Sequence, residues 1–286
     1  MRSKRAKKSN IRNLVVVSDT HCGDRLGLCP RDGAHLDDGG MYIPSRLQCV
    51  VAGWWAEFWG EWVPQATHGE PYSVVVNGDM IDGDHHGATH QISHNLEDQC
   101  EVAYRMFQPV VELCEGRFYV VRGTEAHVGK GGVEEERLAK RLGAIPNREG
   151  QYARWELRIR VGESLCQILH HIGTTGSSAH ETSALNAEIA AVLTDAARFH
   201  REVPRMIARG HRHRCCEVRL PTKFGYLTCF VTAGWQMKTP FAYKVAGARV
   251  TAPQIGGSLI RQGDMEIHTR HQVWDIEPTP VEGDDA

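Results

Sequence analysis

The sequence predicts a mixed α/β chain in which helices pack outside a two-sheet sandwich, and three observations carry that reading. Short apolar runs rich in Val, Ile and Leu end abruptly at polar or glycine-containing segments. Stretches of helical period lie between most of them as far as residue 200. After His213 the chain turns to strands broken by Pro and Gly. Strand and helix in alternation, then mostly strand, is the order expected of helices laid on the outside of two sheets. At 286 residues, 41% hydrophobic and 24% charged, the chain can bury one sizeable core and has an ordinary globular composition.

Five runs read as buried strands: LVVVSDTH (14 to 21), SVVVNGD (73 to 79), FYVVRGTEAH (118 to 127), LCQILHHIG (165 to 173) and RMIARGHRH (205 to 213). Their apolar stretches are continuous rather than alternating, as in strands covered on both faces. A first helix is expected over Leu47, Val50, Val51, Trp54, Trp55, Phe58, Trp59 and Trp62, with Ser45 as its N-cap. Four of the seven tryptophans fall in it, and their spacing favours core packing over a stacking or partner surface. A second helix covers Leu96 to Cys114, where Pro109 should kink or divide it. The third is VEEERLAKRLG, ending at Gly143. The fourth runs from Ser177 to His200, capped near Ser178, with Leu185, Ile189, Val192, Leu193 and Ala196 inward. Strands follow at CEVRL, YLTCFVTAGW and MEIHTRHQVWDIE, the last two separated by a glycine-rich PQIGG. Residues 11–278 form one domain, between a basic tail at 1–10 and an acidic, disordered tail at 279–286.

Composition excludes several classes. Nine cysteines without a C-x-x-C pair argue against a disulfide framework or a zinc knuckle. A net charge of −2 provides no global attraction to nucleic acid, although a local basic groove is compatible with a neutral total. No apolar run approaches the roughly 20 residues of a membrane helix. The basic start leads into a strand without a small-residue cleavage site, so the expected location is the cytoplasm.

Sixteen histidines are the compositional oddity, and many are clustered: His85, His86, His90 and His94, then His170 and His171, then His211 and His213. In order, the chain reads D-T-H at 19 to 21, G-D at 78 to 79, G-T-E-A-H at 123 to 127, H-H at 170 to 171 and G-H-R-H at 210 to 213, each after an expected strand. Any one of these motifs is commonplace; five in succession point to a shared site. Carboxylates with imidazoles and no thiolate suit divalent ions such as Mn, Fe or Zn outside a closed structural zinc site. In an extended segment, Asp19 and His21 share one side, as do His211 and His213. Asp79, at the tip of a central strand, could bridge two ions. Of His170 and His171, which face opposite ways on a strand, only one should reach an ion. Two such ions support attack of a metal-bound hydroxide on phosphorus in a phosphate ester.

These residues closely resemble the calcineurin-like metallophosphoesterase superfamily, whose series is D-x-H, G-D, G-N-H, H and G-H-x-H; the likeness spans about residues 14 to 213. It implies a four-layer α/β/β/α sandwich with the site at strand C-termini. It further implies one ion held by Asp19, His21, Asp79 and His213, and a second by Asp79, His170 and His211. His170 is preferred to His171 because the family's ligand is usually the first polar residue after the strand. The third motif departs from the pattern. Thr124 stands where the family has its ligating Asn, Glu125 is the alternative oxygen ligand, and His127 is the candidate for protonating the leaving group. Arg122, His85 and Arg212 are candidate substrate contacts, with Arg214 beside them, and Asp82 is a candidate support for a ligand imidazole. The run TAGWQMKTPFAYKV resembles what phage-encoded members carry after the last motif. The expected activity is phosphodiester hydrolysis, as in a nuclease or nucleotide phosphodiesterase. The alternatives are a phosphomonoesterase and, behind it, a non-catalytic metal-binding or interaction protein.

Overall fold

The structure is a computed structural model, which describes residues 11–85, 87–173, 178–223, 225–245 and 251–276. Both expected tails begin or lie beyond these residues, as do His86 and the side chain of Ser178.

In chain order the elements are β1 (Asn13–Val17), β2 (Ala34–His35), β3 (Met41–Tyr42), α1 (Arg46–Glu57), a π-helical turn (Phe58–Trp62), α2 (Val63–Thr67), β4 (Tyr72–Asn77) and α3 (Leu96–Leu113). There follow β5 (Phe118–Val121), α4 (Glu125–Val128), a 3-10 turn (Lys130–Gly132), α5 (Val133–Arg141), β6 (Ala153–Arg154), β7 (Leu157–Val161) and β8 (Ser164–Ile168). After a second 3-10 turn (Ser178–His180) come α6 (Ser183–Phe199), β9 (Met206–Arg209), β10 (Cys216–Thr222), β11 (Gly225–Val231), β12 (Gln254–Gln262) and β13 (Ile267–Asp275).

One sheet has the order β13-β12-β1-β4-β5-β6 and the other β10-β11-β9-β8-β7, with β2 and β3 forming a small hairpin. Strands β1, β4, β5 and β6 run parallel to one another, as do β8, β9 and β11. Alternation along each strand explains the continuous apolar runs. Val15, Val17, Val74, Val76 and Val120 face Val51, Trp55, Phe58, Val102, Phe107 and Leu138 of the helices. Leu14, Val16, Val75 and Val121 face Cys166, Ile168, Met206 and Phe230 of the other sheet. That second sheet turns Ile207, Cys229 and Val231 toward Leu185 and Ile189 of α6. The layers are therefore helix, sheet, sheet, helix, as expected.

Local sequence chemistry sets several boundaries. Ser45 caps α1 in a full capping box with Gln48, and Trp55 and Trp59 are buried, with Trp54 and Trp62 packed against the same core. The first helix differs from expectation in two ways: Phe58–Trp62 loosens into a π turn, and Leu47 and Val50 lie exposed. Pro109 neither divides nor ends α3, since Met106, Phe107 and Val110 hold that stretch to the core. Strands β6, β7 and β12 were not legible in the sequence. In β12 the reason is the glycine run itself: a Cβ on Gly257 would press on the Phe58 ring at 2.7 Å, so a central strand carries a turn-like composition. No helix among the described residues is long and apolar enough to cross a membrane.

Candidate metal centre

Asp19, Asp79, His170 and His211 each stand two residues beyond the end of a parallel strand, respectively β1, β4, β8 and β9. Facing strand ends of two sheets thereby converge on one spot, at the carboxyl edge where open α/β folds bind ligands. The side chains do not converge through extended alternation. Asp19, His21, Asp79, His211 and His213 all have left-handed backbones, with φ of 56°, 41°, 54°, 70° and 52°. They are five of the eight non-glycine residues of this kind among those described. Such conformations cost about 1–3 kcal/mol each and collect where a site requires them.

Among the described residues, five groups offer ligand atoms within 4.8 Å of one another: Asp19 with His21 and His213, Asp79 with His170 and His211, His21 with Asp79 and His127, Asp82 with His85 and His127, and Asp24 with Asp82 and His90. In the first, His21 Nε2 and His213 Nε2 face each other at 3.2 Å, and Asp19 Oδ1 lies 3.3 Å from His213 Nε2. That oxygen is buried without a hydrogen-bond partner, and an orphaned carboxylate oxygen between two imidazole lone pairs suits a cation. In the second, His170 Nε2 is 3.0 Å from Asp79 Oδ2. Its Nδ1–H donates to the Asn77 carbonyl at 2.6 Å, which leaves Nε2 as the ligand atom. His171 is exposed and belongs to none of these groups. The donor set thus fits divalent cations, with Asp79 beside both His170 and His21.

The third motif divides cleanly. Thr124 turns inward, its N–H donating to Asp79 Oδ1 at 2.7 Å and its hydroxyl 3.2 Å from His211 Nδ1 and 3.4 Å from His170 Nε2. Glu125 is exposed and accepts from the Gly131 N–H at 3.4 Å, away from the ligands. The His127 ring stands edge-on to His21 at 4.5 Å, with its Nδ1–H donated to the Asp82 carbonyl at 2.6 Å.

The candidate arginines turn to protein oxygens, whereas the His85 ring packs against His127 at 4.4 Å and forms a group with it and Asp82. Arg122 binds the Gly131 carbonyl and Glu136, Arg212 binds the carbonyls of Glu181 and Gly173, and Arg214 pairs with Glu181. His85 lies 3.3 Å from Asp82 through Nε2, and both its ring nitrogens are buried.

Sequence reasoning missed most of the supporting layer. Asp82, the one member anticipated, accepts from His21 Nδ1 at 3.2 Å, Gln91 at 2.8 Å and Gln236 at 3.4 Å. Gln236 also donates to Asp24, which accepts from His90 at 2.8 Å. Glu135 of α5 is fully buried behind Asp79. Only the TAGWQ run held a hint: Trp235 N–H donates to the Asp19 carbonyl at 2.9 Å, so this run walls the site.

The electrostatics are those of a site built for cations. Burial opposes charge on Asp19 and Asp79, but His213 and His170 for the former, and His170 for the latter, hold both carboxyls below their usual range. Burial likewise disfavours imidazolium at His21 and His170. Asp82 overrides it at His21, raising the pKa to about 9, and Asp79 does so at His170, raising it to about 10. Burial and, next, His21 push His127 down to about 4, and burial with His170 pushes His211 to about 4. Burial, reinforced by Asp79, lifts Glu135 to about 7.

A pH dependence follows. The folded pKa values of His21 and His170 lie above the ordinary 6.5, so the stability they contribute to the metal-free fold is complete below about 6.5 and is lost as pH rises toward 9 and 10. Divalent ions held by these imidazoles would replace those protons. Melting temperature in EDTA should therefore fall from pH 7 to 10, and the fall should shrink in Mn²⁺; parallel curves with and without the ion would contradict this assignment.

The sequence matches no protein-family model and no curated protein. Among solved structures, the fold is similar to a predicted phosphoesterase from Streptococcus pneumoniae, with 11% identity, TM-score 0.35, and 92% of this chain and 98% of that chain covered. It is also similar to a metallophosphoesterase from Sphaerobacter thermophilus, with 9% identity, TM-score 0.40, and coverage of 91% and 88%. A third is the NAD nucleotidase of Haemophilus influenzae, with 12% identity and TM-score 0.38, where 92% of this chain spans 49% of that one.

Proposed function

We propose that the chain is a two-metal-dependent phosphoesterase that hydrolyses phosphodiester bonds, as a nuclease or nucleotide phosphodiesterase. The observation that carries this reading is that Asp79 stands in one ligand group with His170 and His211 and in another with His21, which itself groups with Asp19 and His213. Asp19, His21, His213 and Asp79 would hold one ion; Asp79, His170 and His211, with the Thr124 hydroxyl, the other. Divalent ions bound there, with Mn, Fe and Zn all compatible with the ligands, acidify water and neutralise phosphoryl charge.

The chain's own residues supply the rest. Thr124 N–H locks the Asp79 carboxylate, and Asp82 orients His21 through Nδ1. His127, its Nδ1–H spent on the Asp82 carbonyl, presents Nε2 as the atom that carries the leaving-group proton. Burial keeps this ring neutral, and an anionic phosphate arriving beside it opposes that shift. Diesters are favoured over monoesters by charge. Arg122, Arg212 and Arg214 are each committed to protein oxygens, which suits a monoanionic diester better than a dianionic monoester. The phage setting rests on the TAGWQMKTPFAYKV likeness.

Purified protein with Mn²⁺ should turn over bis-p-nitrophenyl phosphate faster than p-nitrophenyl phosphate. Monoester turnover alone would replace the proposal with a phosphomonoesterase, and silence on both with metal bound would leave a non-catalytic metal-binding protein. His127→Ala should depress turnover more for poor leaving groups than for good ones; an equal effect would remove the acid role.

A further inference from the structure

We infer that Glu135 is a positioning residue that sets the gap between the two loops carrying Asp79 and Thr124, and that ion loading tightens this clamp. The inference rests on the proposed metal centre. Glu135 sits on α5, is 0% exposed, and divides its carboxylate between two backbone donors. Oε1 accepts from the Met80 N–H at 3.0 Å, directly after Asp79, and Oε2 accepts from the Gly123 N–H at 2.7 Å, directly before Thr124. On the opposite side, the Thr124 N–H donates to Asp79 Oδ1 at 2.7 Å. The two loops are thus fastened twice, once by Glu135 from behind and once by the ligand carboxylate in front.

The choice of residue is informative. Burying a carboxylate is costly, and a neutral side chain of the same size avoids that cost. Gln, however, accepts through one oxygen and places an NH₂ against the second backbone donor. Only a carboxylate accepts from both amides at once. Glu135 touches neither ion nor substrate in this arrangement; it acts through Asp79 and Thr124.

The test is a titration of the full chain with Mn²⁺ by calorimetry, comparing wild type with Glu135→Gln. Leaving one buried N–H unmatched should weaken one of the two ions about ten- to a hundredfold. The increment in melting temperature from saturating Mn²⁺ should shrink accordingly. A residue that only supports the fold would lower melting equally with and without Mn²⁺ and leave the ion's Kd unchanged, and that result overturns the inference. Should Glu135→Gln fail to fold, hydrogen exchange on wild type decides: the Met80 and Gly123 amides should gain protection when Mn²⁺ is added, and unchanged protection overturns it. Wild type that binds no Mn²⁺ defeats the proposed function itself, which separates the two failures.

Discussion

Asp79→Asn is expected to abolish phosphoester turnover and loosen both ions. Both carboxylate oxygens are committed: Oδ1 accepts the Thr124 N–H at 2.7 Å, while Oδ2 faces His170 Nε2 at 3.0 Å and His21 Nε2 at 4.0 Å. An asparagine has one acceptor atom, so either rotamer sets its NH₂ against the Thr124 N–H or against the ligand imidazoles and the ions. The charge between the two metal positions disappears as well. The loss in metal affinity should exceed the roughly 10- to 100-fold that removal of an outer partner costs. Equilibrium dialysis with metal analysis, alongside diester turnover, measures it. A variant that keeps two tightly bound ions and normal rates would show that Asp79 does not bridge.

Gly123→Ala should be nearly as damaging, although the added group is one methyl. A Cβ at this position would overlap Asp79 Oδ1 and backbone N and stand 2.9 Å from Asp79 Cγ. Neither neighbour can yield, because Asp79 is held by Thr124 and the Gly123 N–H is held by Glu135. Overpacking of this kind costs about 1–3 kcal/mol of stability. Displacing the bridging carboxylate by even an ångström should lower turnover about 100-fold. Melting temperature and kcat on the diester, measured together, check both parts. Wild-type kcat with unchanged metal affinity would mean that the loop relaxes around the methyl.

The strand-end placement of the candidate ligands was legible because each lies within a few residues of an apolar run that announces its strand, and both signals are local. The choice between His170 and His171 was half legible: alternation says that one is excluded, and the Asn77 carbonyl, 93 positions from His170, identifies the one that turns inward. At the third motif, sequence placed Thr124 at the ligand position and offered Glu125 as the alternative oxygen ligand. The onset of α4 decides between them, since the residue before the helix faces Asp79 and the first helical residue faces out. The left-handed backbone at Asp19, His21, Asp79, His211 and His213 has no sequence signature beyond the tolerance of Asp and His for it.

Sequence by itself determined the fold class and the residue types that gather at the strand ends, because hydrophobic period and side-chain type are properties of short segments. Tertiary structure alone decided the supporting layer. Glu135 reaches Met80 across 55 positions, and Gln236 reaches Asp82 across 154. It also decided where the other candidates go: Arg122 and Arg212 turn to protein oxygens that only the folded chain brings near, while His85 packs against His127. The physical reason is that a buried polar group must find its partner wherever the packed layers supply one, and that distance along the chain carries no periodic trace.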